Sequence, residues 1–259
     1  MIFDSHIHSA ASPDSEVPPE EVIAILKKKG FGCTFTEHIE YSADLKPFFC
    51  VDFEIYPKEY VKYKSDTVAM GVELSLIPQA LELNRQHAAN TDYDFVIGSI
   101  HVVDGLDLGA KPDITREWFS KWGEEAYLRF FKDSLEMVKA NEFFDSFGHI
   151  DYISRYSTLP EENVLYDRYA TQYDELLTAL IERGKVIEFC TRRIGDELAC
   201  KNLYKIYTRY KELGGRYVTI GSDAHVADQL GYKFDLALDI LNEIGLMPVY
   251  FKNRRMVLS

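Results

Sequence analysis

The chain has 259 residues, a formal net charge of −13 at pH 7 and a hydrophobic share of 46%, enough for a sizeable core. The acid surplus argues against a nucleic-acid or anionic-membrane surface, which needs clustered Lys and Arg, but leaves room for a small anionic substrate. Four scattered cysteines, the lack of a secretory leader and the lack of any bilayer-length apolar run suit a reduced, cytoplasmic chain.

IFDSH (2–6) opens the chain as a strand and leads into His6 and His8. PPEEVIAILKKKG follows with prolines first, acids in its first turn, lysines in its last and a closing glycine, the order expected of a helix. CTFTEH (33–38) and TVAMGVEL (67–74) are the next strands, then the helical IPQALELNRQHAAN and the strand DFVIGSIH (94–101). A long helical stretch from Ile114 to Asn141 precedes the strand FFDSFGHI (143–150). YATQYDELLTALIERG, KVIEFC (185–190), ACKNLYKIYTRYKELGG, RYVTIGSDAH (216–225) and FDLALDILNEIG then alternate helix and strand to the last predicted helix. This repeated alternation predicts an α/β fold with a parallel sheet, doubly wound or closed into a barrel. No linker or low-complexity tract breaks it, so residues 1–259 are expected to be a single domain; oligomeric state is not legible.

One regularity favours the barrel. Successive strands end in His6 and His8, His38, Glu73, His101, His149, and Asp223 with His225; the sixth offers Glu188, then Arg192 and Arg193. In a parallel barrel all C-terminal strand ends open on one face, where distant residues converge; an open sheet spreads them along a line. A barrel of about seven or eight units follows. A lone His at a strand end is more often structural than a ligand, and His87, mid-helix, reads as a solvated or partly packed side chain. Six of the seven histidines at strand ends is not what independent placement gives. Alternation in a strand also turns His6 and His8 to one face, where both can reach one ion.

DSHIHSAASPD, FTEHIE, GVEL, GSIH, FGHIDYISRY and GSDAH, in this order, resemble the successive motifs of the PHP (polymerase and histidinol phosphatase) metallophosphoesterases, most of all their stand-alone histidinol-phosphate phosphatases. The resemblance implies a distorted (β/α)7 TIM-like barrel and two or three divalent ions, zinc, manganese or iron. It places one ion on His6, His8, Glu73 and Asp223, a second on Glu73, His101 and His149, and a third on Asp14, His38 and His225. Asp14 in ASPDSE also suits a turn that starts a helix. Glu37 and Asp151, beside ligands, are candidates for orienting the imidazoles or are structural polar residues only.

Such a centre suits phosphoryl chemistry, because clustered ions turn water into a nucleophile near neutral pH and neutralise phosphate oxygens. Arg155, Arg192 and Arg193 are the candidate phosphate grips, since a guanidinium offers two parallel donors. EFCTRRIG departs from the family's usual residues after this strand, which leaves substrate contacts there open. Asp223, His225 and Arg155 are the candidate catalytic residues. The implied reaction is hydrolysis of L-histidinol phosphate to L-histidinol and phosphate, a step of histidine biosynthesis. Alternatives are a phosphotyrosine or general phosphoesterase of the same family, and a non-catalytic metal-stabilised interaction module.

Overall fold

The computed structural model describes residues 1–259 apart from Ala43, Ala110 and Val164. Seven strands form a wall: β1 (Phe3–Ile7), β2 (Gly32–Tyr41), β3 (Val68–Ser75), β4 (Phe95–Ser99), β5 (Ser146–Phe147), β6 (Val186–Cys190) and β7 (Tyr217–Gly221). Each runs parallel to the next in chain order. The ring closes where Asp223 N donates to His6 O at 2.8 Å and His8 N to Ala224 O at 2.9 Å, beside a parallel bridge from Ile7 to Ala224. The barrel is distorted: β5 is two residues long, and the β1–β2 register shifts between Asp4 and Ile7. Every residue of β1 to β6 is buried, because helices cover the outer face and side chains fill the inner one.

The helices fall where apolar spacing places them. Pro19–Lys29 ends at Gly30, whose φ of 83° turns its N–H back onto the carbonyls of Leu26 and Lys27. The single long helix expected from Ile114 to Asn141 is instead two, Pro112–Trp122 and Glu125–Ala140. Gly123 separates them at φ 51° and ψ −129°, a conformation outside the helical region that a residue without Cβ adopts readily. Among the described residues no helix is long and apolar enough to cross a membrane.

No strand is expected after His225 on the sequence pattern, yet Met247–Lys252 and Arg255–Leu258 form an antiparallel hairpin. Met247–Lys252 pairs with the start of β7, and Val249 and Phe251 pack on Phe95, Ile97 and Val186. The hairpin thus closes the N-terminal end of the barrel and leaves the C-terminal end open for the histidines.

Candidate metal centre

The bonds that close the ring also fix the first group of side chains. His6 and His8 leave β1 while their backbone is held to Asp223 and Ala224. Asp223 has a φ of 53°, a left-handed conformation that Asp tolerates better than most residues. His6 Nε2 then lies 3.4 Å from Glu73 Oε1 and 3.7 Å from Asp223 Oδ1, and His8 Nε2 lies 3.6 Å from Glu73 Oε2 and 3.4 Å from Asp223 Oδ1.

Glu73, on β3, also faces the next strands. His149 Nε2 stands 2.9 Å and His101 Nε2 3.3 Å from its Oε1, and these two nitrogens are 3.3 Å apart. A third group sits nearer the rim: Asp14 Oδ2 is 2.7 Å from His225 Nε2 and 3.5 Å from His38 Nε2, which are themselves 3.4 Å apart. His8 stacks on the His38 ring at 3.9 Å and links the first group to the third.

These spacings suit shared cations. Donors 2.0–2.1 Å from one tetrahedral ion stand about 3.4 Å apart. The buried His6 Nε2 and His8 Nε2 have no hydrogen-bond partner, which is costly for polar atoms unless something else occupies the space beside them. Without ions the imidazoles divide: burial pushes His6, His38 and His101 down, but the carboxylates around them hold all three well above the usual range, so a cation there would displace their protons. Burial, with the neighbouring His38 and His225, holds His8 well below the usual imidazole range, so it is neutral, the form that ligates. Burial pushes Glu73 and Asp223 up, but His6, His101 and His38 around the first, and Arg155 and His6 beside the second, hold both carboxyls well below the usual range. Nitrogen and carboxylate donors in this mixture fit borderline divalent cations.

Two further buried carboxylates contact the imidazoles, and one of them, Glu40, lines the cavity and could join His38 and His101 in holding an ion. Glu188 Oε1 lies 2.7 Å from His6 Nδ1, and Glu40 Oε1 lies 2.8 Å from His101 Nδ1. Glu40 is also 3.2 Å from His38 Nδ1. Arg155 donates from Nη1 to Asp223 Oδ2 at 2.5 Å, and Arg192 donates from Nη1 to the Asp223 carbonyl at 2.6 Å. Both arginines line a cavity of about 620 Å³ over the three groups, together with Tyr152, Tyr156, Phe48 and Phe49.

The PHP domain family matches residues 4–192, nearly from the first strand to the arginine pair. The chain belongs to the PHP domain family. It is 40% identical to a probable histidinol-phosphatase of Clostridium acetobutylicum, over 99% of this chain and 99% of that one. It is 27% identical to a histidinol-phosphatase of Lactococcus lactis subsp. lactis, over 94% of this chain and 91% of that one. Its fold is similar to the crystal structure of a histidinol phosphate phosphatase from Lactococcus lactis subsp. lactis complexed with zinc, L-histidinol and phosphate. The TM-score there is 0.84 at 24% identity, covering 99% of this chain and 98% of that one.

On this PHP barrel the structure brings together His6, His8, Asp14, His38, Glu73, His101, His149, Asp223 and His225, with Arg155 and Arg192 beside them. It does not bring Arg193. Its guanidinium turns away, to Asp151 Oδ2 at 2.8 Å and Glu161 Oε2 at 2.7 Å, so its expected place among the phosphate contacts is corrected. Asp151 therefore orients an arginine and not an imidazole. Glu37 differs likewise: it accepts from Ser9 N at 3.1 Å and Ser12 Oγ at 2.5 Å, tying the loop that carries Asp14 to β2. Burial pushes it up to about 7, against those hydroxyls. His87 is packed, 2.6 Å from the Tyr41 hydroxyl and against Phe53. The part played by Glu40 escapes sequence reading; FTEHIE contains it, but only the fold shows that it meets His101.

Proposed function

We propose that this PHP protein is a metal-dependent phosphomonoesterase that hydrolyses L-histidinol phosphate to L-histidinol and phosphate. The observation that carries the reading is the gathering of three donor groups and two arginines in one cavity, and the kinship to histidinol-phosphatases supports the substrate. His6, His8, Glu73 and Asp223 would hold one divalent ion, Glu73, His101 and His149 a second, and Asp14, His38 and His225 a third, with zinc, manganese or iron as candidates. Bound there, such ions neutralise phosphate oxygens and acidify water.

The chain's own groups supply orientation. Arg155 is held by Asp223 at Nη1 and by Cys190 Sγ at Nη2, and it lines the cavity where phosphate would bind. Arg192 adds donors from the next loop. A water oxygen forms the new P–O bond as the ester P–O bond breaks, and the alcohol leaves with one proton. Asp223 and His225 are the candidates for handling the proton, each only where ligation leaves an atom for it. Phe48, Phe49 and Tyr156 line the outer cavity. Residues 1–259 work as one unit in this reading, since donors come from His6 through His225. Four unpaired cysteines support a reducing, cytoplasmic setting.

A panel of phosphate monoesters, assayed with zinc, manganese and iron, tests the proposal. L-histidinol phosphate should be cleaved at least tenfold faster than phosphotyrosine at low concentration. Equal rates across the panel would make it a general phosphoesterase, and no phosphate release with any metal would leave a non-catalytic module.

A further inference from the structure

Glu188 lies wholly inside the barrel on β6 and belongs to none of the three donor groups. One of its oxygens meets His6 Nδ1 at 2.7 Å, and the other accepts the backbone N–H of His149 at 2.7 Å. A single carboxylate therefore grips two candidate ligands that reach the centre from opposite parts of the chain, one by its ring and one by its main chain. Room for this grip comes from β7. A Cβ on Gly221 would stand 2.1 Å from Glu188 Oε1 and 2.4 Å from the Cβ of His6, closer than real contacts allow.

The chemistry of the grip is directional. An ionised carboxylate only accepts, so the proton of a neutral His6 ring must sit on Nδ1. The lone pair is then on Nε2, the atom that faces Glu73 and Asp223 without a partner. We propose that Glu188 is a positioning residue that fixes the tautomer and plane of His6 and the backbone at His149, and so sets how tightly the centre holds its ions. The inference rests on the ligand reading above. Removing a partner of this kind typically costs roughly 10–100-fold in metal affinity.

The test uses metal-free full-length protein titrated with zinc against a competing chelator, with the imidazole nitrogens followed by NMR. In the zinc-loaded wild type His6 should carry its proton on Nδ1; a proton on Nε2 in that state overturns the proposal without any variant. Glu188→Gln puts an amide N–H₂ against one of its two donors and should weaken zinc binding at least tenfold and mix the His6 tautomers. Gly221→Ala, which displaces the carboxylate but keeps its charge, should do the same. Wild-type affinity and tautomer in both variants would mean that the grip is merely structural. His6→Ala separates the two readings: if it loses zinc while Glu188→Gln binds normally, only this inference falls, and if it keeps all its zinc the ligand assignment itself fails.

Discussion

Glu73 shows at the scale of one residue why the centre needs cations. One carboxylate faces the imidazoles of His6, His8, His38, His101 and His149, and receives the Ser99 hydroxyl at 2.6 Å. Its remaining neighbours are imidazole nitrogens, which cations set between them and the carboxylate would bind in the neutral form. Glu73→Gln should therefore abolish phosphate release and lower bound metal by at least one ion per chain, measured by elemental analysis, while the circular dichroism stays unchanged. The neighbouring arginines give a sharper contrast, because Arg192 and Arg193 adjoin in sequence and part in space. Arg192→Ala should lower kcat/KM roughly 10²–10³-fold, as for other donors aimed at developing charge. Arg193→Ala should leave kcat/KM near wild type, yet strand the buried Asp151 and cost about 3 kcal/mol of stability in denaturant unfolding. If Arg193→Ala proves the catalytically impaired variant, the cavity has been assigned to the wrong guanidinium. Sequence left both arginines as candidates, with the family resemblance favouring Arg192, since a position after β6 says nothing of which way a side chain turns. It did single out the candidate donors that the fold brings together, since strand ends in a parallel barrel converge whatever the rotamers.

At the scale of elements, strands were legible for a physical reason. Those buried on both faces, such as VAMGVELS, are continuous apolar runs bounded by polar turns, and each expected strand overlaps an observed one. The C-terminal hairpin was not, because its turn is Asn253 and Arg254, at φ 49° and 60°, with neither glycine nor any other strong turn signal beyond Asn. Tertiary contacts hold that conformation. Arg254 donates from Nε to Asp145 Oδ2 at 2.6 Å and from Nη2 to Oδ1 at 3.1 Å, and its backbone N–H reaches Asp94 O at 2.9 Å. Arg254→Ala should destabilise the protein by about 2 kcal/mol, less than the roughly 3–5 of a fully buried pair because Arg254 is part-exposed. The penalty should depend on pH. Burial raises the Asp145 carboxyl above its ordinary value and Arg254 pulls it down. Without the arginine the folded value rises further above the unfolded one. Stability is then lost as pH rises through that widened window, so the deficit should be larger at pH 8 than at pH 4.5. Thermal melts of metal-free wild type and variant at both values measure it, and a deficit that shrinks with pH would contradict the pairing.

On the scale of the whole molecule, the two ends of the barrel do opposite work. The hairpin end is sealed by apolar packing of Val249 and Phe251 on Phe95, Ile97 and Val186. The open end gathers buried donors from β1, β2, β3 and the segments following β4, β5 and β7, several of them without partners. Folding without ions must bring these polar groups out of water with little in return, whereas ions that bind only the assembled cup add their binding free energy to folding. At a free zinc concentration 1,000 times the dissociation constant, one site contributes about 4 kcal/mol. For a chain of this size that raises the melting temperature by roughly 10 °C. Scanning the chelated protein with and without zinc should show this rise in wild type and a smaller one in Glu73→Gln, whose loss touches two of the three donor groups. Zinc that failed to shift the wild-type transition would mean that the donors at the open end are satisfied by one another and that the cup is not built around cations.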